Sequence, residues 1–185
     1  VDASTLPLAE GQTVEQLYEE IAPVIFDPQV MPKRVNQAAG EDLVLTSACN
    51  YYDGVTQKEA EAFYNAMKDP KDETPVSYGL NSRLVKENGK IQEKVWKVGG
   101  LYGQAIEKIV YWLKKAEGVA ENPEQKAVIA KLIEFYETGD LKTFDDYAIL
   151  WVKDLDSRID FVNGFTESYG DPLGMKASWE SLVNF

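Results

Sequence analysis

Arg158-Ile-Asp-Phe-Val-Asn-Gly-Phe-Thr-Glu-Ser-Tyr169 has β-branched and aromatic residues but no helical period, which predicts extended chain over 158–169. Gly170-Asp-Pro-Leu-Gly174 follows as a turn, and residues 176–185 form a second extended run. Glu167 and Tyr169 are two apart, so on extended chain both side chains face one way. Upstream lie three amphipathic stretches. Residues 101–117 place Leu101, Ala105, Ile109, Trp112, Leu113 and Ala116 at helical spacing, with Gly118 as a stop. Asn122-Pro123 opens the next with a cap and a proline at the first helical position, lining Val128, Ile129, Leu132, Ile133 and Tyr136 up to Gly139. Thr143-Phe-Asp-Asp146 opens the third, which carries Tyr147, Leu150 and Trp151.

Before these helices, Ser82–Lys86 and Ile91–Val98 flank Glu87-Asn-Gly-Lys90. Asn-Gly between β-type runs predicts a hairpin near 82–98, because both residues tolerate positive φ. Thr13-Val-Glu-Gln16 and Thr56-Gln-Lys-Glu59 are capping boxes, each starting a helix. Leu17, Ile21 and Val24 share a face of the first, where Pro23 is expected to kink or end it. Residues 27–40 read as loop, Leu43-Val-Leu-Thr46 as a short strand, and Tyr51-Tyr-Asp-Gly54 as a turn. The sum is a helix-rich α+β chain with short strands in a modest antiparallel sheet, its apolar helix faces forming the core.

The chain has 185 residues, 31 acids, 19 bases, one cysteine and no histidine. That length is one domain or a large piece of one. An apolar fraction of 44% suffices for a packed core. The net charge of −12 argues against nucleic-acid partners and anionic membranes, and suits a cation such as a peptide's terminal amine. No apolar run reaches the ~18 residues of a membrane span. Without histidine there is no Ser-His-Asp triad, Cys-His dyad or His-bearing zinc site, and Cys49 alone makes neither a cysteine zinc site nor an internal disulfide. A lone cysteine fits a reducing, cytoplasmic compartment. The start at Val1 and the stop at Phe185 inside an apolar run are what an excised fragment would show.

Several acidic groups do not make a site. Glu15-Gln-Leu-Tyr-Glu-Glu20 lacks the Arg-Glu pair and the following glycine of a Nudix helix. Asp145-Asp146 reads as a helix cap. Asp154, Asp156 and Asp160 lack the glycine and terminal glutamate of a calcium loop. The dense polar set is Glu167, Tyr169, Asp171 and Glu180. A carboxylate beside a phenol suits ammonium recognition and donation to an oxyanion. The same set also fits a solvated sheet edge, or a hydrolase using Glu167 and Asp171.

Gly164-Phe-Thr-Glu-Ser-Tyr-Gly-Asp-Pro-Leu-Gly174 resembles the Gly-Phe-x-Glu-Ser-Tyr-x-Asp-Pro-x-Gly stretch of the dipeptidyl peptidase III family of zinc exopeptidases. Asn81-Ser-Arg-Leu-Val-Lys86 is similar to that family's Asn-Thr-Arg-Leu-Phe-Lys, and the order of elements from about residue 50 agrees. The resemblance implies a two-lobed enzyme that removes dipeptides from the N-termini of short peptides. One lobe holds zinc on a His-Glu helix; the other, mixed α/β lobe holds the substrate. Residues 1–185 would be a single fragment of the second lobe, binding no zinc and inactive alone, with the missing zinc lobe as its partner. By position, Glu167 matches the glutamate that binds the substrate amine, Tyr169 the catalytic tyrosine at the scissile carbonyl, and Glu180 a glutamate of the N-terminus subsite. Around Glu180, Ala177-Ser-Trp replaces the family's Gly-Glu-Phe. Asp171, Pro172 and Gly174 match as turn residues. The alternative is a non-enzymatic peptide- or protein-binding module on the same α+β fold.

Overall fold

The computed structural model describes residues 2–185. Five helices are present: α1 (Val14–Phe26), α2 (Gln57–Asn65), α3 (Gly103–Glu117), α4 (Pro123–Thr138) and α5 (Leu141–Lys153). The strands are β1 (Tyr52–Asp53), β2 (Ser82–Glu87), β3 (Lys90–Val95), β4 (Asp160–Glu167) and β5 (Ser178–Asn184), with a 3₁₀ turn at Ser168–Gly170. This is the expected α+β class. No described helix is long and apolar enough to cross a membrane.

The strands form two sheets. In the first, β2 pairs antiparallel with β3 through the Asn88-Gly89 turn, where both residues have positive φ, and β1 pairs parallel with β2. In the second, β4 and β5 form an antiparallel ribbon. The single antiparallel sheet expected from sequence is therefore corrected to one mixed sheet and one ribbon. Within Tyr51–Gly54, expected as a turn, Tyr52–Asp53 is strand β1, because Leu84 N–H donates to the Tyr51 carbonyl and draws the segment alongside β2.

Helix α4 lies between α3 and α5 and buries Val128, Ile129, Leu132, Ile133, Phe135 and Tyr136. Phe135 meets Phe144 of α5 at 4.5 Å between ring centroids, and Trp96 stacks on Phe165 of β4 at 5.4 Å. These aromatic contacts join helices, mixed sheet and ribbon in one core. The α3 face is rotated from the expected one: Ile106 and Val110 are buried, while Trp112 is exposed. Helix α1 buries none of its residues, so its Leu17–Ile21–Val24 stripe is not core within this chain.

The caps at Thr13, Thr56 and Asn122 are present. Two boundary expectations are overturned, and of the two outcomes expected at Pro23 the helix end does not occur. Leu43–Thr46 is a helical turn, not a strand, because the Asp42 carboxylate accepts from Val44 and Leu45 N–H and its carbonyl from Thr46 N–H. Helix α5 starts at Leu141, since Asp140 accepts the Thr143 N–H; Asp145 and Asp146 lie inside the helix and do not cap it. Helix α1 continues to Phe26 past Pro23. Proline removes one donor, and the next turn closes when Asp27 N–H reaches the Pro23 carbonyl.

Gly139 ends α4 at φ +73°, and a Cβ there would lie 2.7 Å from Val95 Cγ1. Gly89 has a similar φ of +76° with open space around it. Gly139→Ala should destabilise the chain by more than about 1 kcal/mol, and by more than Gly89→Ala, because only the first adds a collision to the backbone strain. Urea midpoints of the two variants check this; equal losses would count against it.

Candidate functional site

The site is built on the β4–β5 ribbon. Gly164 pairs with Glu180, Phe165 with Trp179, and Glu167 with Ser178, which leaves Thr166 as the extra residue of a β-bulge. Cross-strand partners point to the same face, and Ser178 and Glu180 share a face because they are two apart. Without the bulge, Gly164 and Glu167 would face opposite ways. The bulge brings Glu167 round to the side of Glu180. Gly164 opens room behind them: a Cβ there would lie 2.8 Å from the Phe144 ring.

Glu167 and Glu180 lie diagonally across the ribbon on one face. The Glu167 pKa is raised by desolvation first, then by the charge of Glu180 and a hydrogen bond shared with it. Thr166 Oγ1 donates to Glu180 Oε1 at 2.6 Å. Such a pair holds a shared proton or an ammonium group in its place. Tyr169 does not continue the strand as expected. The chain enters the 3₁₀ turn after Glu167, and Tyr169 projects from it, 72% exposed. A cavity of about 540 Å³ is lined by both Glu167 and Tyr169, together with Gln37, Ser168 and Asp171. A turn thus sets Glu167 and Tyr169 on one cavity, and a bulge sets Glu180 on the same ribbon face as Glu167, instead of one strand face carrying Glu167 and Tyr169.

Asp171 is not a free carboxylate. It is 3% exposed and accepts from Tyr52 Oη at 2.9 Å and from the N–H groups of Leu173, Met175 and Lys176. With its lone pairs so engaged it is a structural turn residue, which removes the hydrolase reading based on Glu167 and Asp171. Beside it lies a group that sequence reasoning passed over. Lys176 is completely buried, and its Nζ donates to Tyr64 Oη at 2.5 Å, the Ser82 carbonyl at 3.0 Å, Ser82 Oγ at 3.2 Å and the Gly79 carbonyl at 3.3 Å. The only hint in the sequence was a lysine set between Met175 and Ala177 next to a tight turn.

Among the described residues no three His, Cys, Asp or Glu side chains gather to hold a metal ion. The donor set present therefore does not fit zinc, and no step below passes through a metal.

A family model for peptidase family M49 matches residues 38–185. Dipeptidyl peptidase 3 of Dictyostelium discoideum is 32% identical over 87 residues, which is 47% of this chain and 13% of that protein. Dipeptidyl peptidase 3 of Homo sapiens is 31% identical over 84 residues, 45% of this chain and 11% of that protein. The solved structure of DPP III from Caldithrix abyssi has the same fold over 95% of this chain, with a TM-score of 0.58 at 22% identity, and this chain covers 32% of it. The chain therefore spans about a third of that solved neighbour. Since the matched region takes in the hairpin, the three packed helices and the bulged ribbon, the chain belongs to peptidase family M49.

Proposed function

We propose that this chain is part of the substrate-binding lobe of a larger, two-lobed zinc dipeptidyl peptidase that releases dipeptides from the N-termini of short peptides. The observation that carries this reading is the bulged ribbon that sets Glu167 and Glu180 on one face, with the exposed phenol of Tyr169 on the turn that follows Glu167. The printed names of the relatives, dipeptidyl peptidase 3, support the reaction class. Zinc in the complete enzyme would be held by residues outside 1–185, so this chain alone is expected to be inactive. The lone, half-buried Cys49, its thiol pKa pushed up by burial, suits a reducing, cytoplasmic setting.

The roles follow from charge and reach. An α-ammonium group offsets one of the two carboxylate charges, as a shared proton would, and it also supplies three donors to their oxygens. Holding the amine fixes the register of the peptide, so that cleavage falls a set distance from the N-terminus. Tyr169, on a turn next to Glu167, donates its hydroxyl to the scissile carbonyl as that oxygen gains charge.

Two outcomes test the reading in the complete enzyme. Tyr169→Phe should lower turnover by ~10²–10³ with little change in KM, the loss expected for one oxyanion donor; unchanged turnover sinks the role. An N-acetylated peptide, which offers no ammonium, should be cleaved far more slowly than the free peptide, and equal rates would exclude amine recognition.

A third outcome concerns this chain alone. A raised Glu167 pKa means that the folded state binds the proton more tightly than the unfolded state, so stability falls as pH rises through the shifted value. Glu180→Gln keeps an acceptor for Thr166 but removes the repulsion. Its Tm should exceed that of the parent at pH 7, and the gap should close below about pH 4.5, the ordinary glutamate value. A gap that persists in acid would show that the carboxylate pair is not its source.

A further inference from the structure

We propose that Lys176 is a positioning residue for the Glu167–Tyr169–Glu180 site, its buried ammonium fixing the loop that joins the two halves of that site. The inference rests on the peptide-binding reading above and adds a residue to it. The loop leaves the site at Tyr169 and Gly170, passes through Asp171 to Lys176, and re-enters β5 at Ser178, which pairs with Glu167. Whatever fixes this loop fixes where the phenol stands relative to the two carboxylates.

Lys176 is anchored to elements far away in sequence. Its Nζ reaches Tyr64 of α2, Gly79 before the hairpin, and Ser82 at the start of β2. It also lies 4.8 Å from the centroid of the Tyr64 ring and 5.4 Å from that of Tyr52. The compensating charge is one hydroxyl removed: Glu93 of β3 accepts from Tyr64 Oη at 2.9 Å and also takes the Ser82 hydroxyl. The loop backbone is tied down in parallel. Asp171 accepts the N–H groups of Met175 and Lys176, and Ala177 N–H donates to the Leu80 carbonyl at 3.0 Å.

A buried charge is a poor way to gain stability, since apolar replacements of buried ion pairs are often neutral or better. What this charge gives is direction. An ammonium with four oxygen acceptors fits one position of the loop, whereas a methionine of similar volume fits several. Desolvation lowers the Lys176 pKa to about 8, partly offset by Glu93 and Asp171, so the ammonium is the main form at neutral pH.

The test uses the complete enzyme carrying Lys176→Met, with Lys86→Met as a surface control that breaks only the exposed pair with Glu59. We expect Lys176→Met to lower kcat about tenfold to a hundredfold, the scale of a small misplacement of a catalytic group, with KM within about twofold. The control should keep both constants. Circular dichroism establishes that each variant is folded at the assay temperature. A folded Lys176→Met enzyme with unchanged kcat overturns the proposal, and so does a uniform loss of active protein at constant kcat per folded molecule. If Lys176→Met does not fold, Tyr64→Phe decides. It removes the nearest acceptor with little change of shape, and it should show the same split in smaller degree; an unchanged kcat there overturns the proposal. Tyr169→Phe run alongside separates the two failures. If it lowers kcat while both Lys176→Met and Tyr64→Phe leave kcat intact, only the positioning role is lost. If Tyr169→Phe is also silent, the site reading falls and takes this inference with it.

Discussion

The hydrogen bonds of Asp171 and Lys176 are the constraint on which the rest of the site depends. The two side chains carry opposite charge and are five residues apart, yet each reaches a different tyrosine: Asp171 takes the Tyr52 hydroxyl and Lys176 donates to that of Tyr64. Tyr52 belongs to β1 and Tyr64 to α2, so one short loop is tied both to a strand of the mixed sheet and to a helix. Burial pushes both phenol pKa values far up, so neither tyrosine competes as an anion near neutral pH. The tyrosines act as neutral spacers that spread two charges over a polar network instead of leaving either unpaired.

The ribbon is also held on the other side of the bulge by a second polar contact. Trp179 Nε1 donates to Tyr136 Oη at 2.7 Å, and Tyr136 in turn donates to Asn163 of β4. Helix α4 therefore touches both ribbon strands through one phenol, while the loop of Asp171 and Lys176 holds the strand ends just beyond the bulge. Between these two clamps lies the bulge at Thr166. A bulge left unsupported can shift along a two-stranded ribbon, and a one-residue shift would send Glu167 to the opposite face. Holding the ribbon on both sides of the bulge keeps the carboxylate pair in register.

Much of the fold was legible because it is local. A capping box, an Asn-Gly turn and an Asn-Pro helix start each rest on residues within four positions of one another, and each was found where the sequence put it. The amphipathic face of α4 was legible for the same reason. One failure is a local competition and the others are tertiary. Leu43–Thr46 has strand-like composition, yet one carboxylate at Asp42 supplies the donors' partner and wins over propensity. Tyr51–Gly54 was legible as a turn only until β2 offered it hydrogen bonds. The α1 stripe has helical spacing, but nothing within this chain packs on it.

At the site, the residue types were legible and the geometry was not. Glu167, Tyr169 and Glu180 stood out by chemistry and by resemblance, but the period-two argument assumed an unbroken strand. The bulge replaces the expected Glu167–Tyr169 pairing with a Glu167–Glu180 pairing, and that exchange alters the electrostatics. Two carboxylates in contact disfavour their own charged forms, so the folded chain is less stable above the raised Glu167 pKa than it would be with one of them neutral. Lys176 has the opposite dependence. Its folded pKa lies below the ordinary 10.5, so the burial cost is fully present below about pH 8 and is relieved as pH rises toward the unfolded value. Near neutrality both costs are present together. On the proposed reading, an incoming ammonium would relieve the first by sitting between the carboxylates. Nothing relieves the second, because Lys176 is completely buried. The unrelieved charge thus belongs to the frame and the relievable one to the binding surface, as expected of a rigid support beneath a site that awaits a cation.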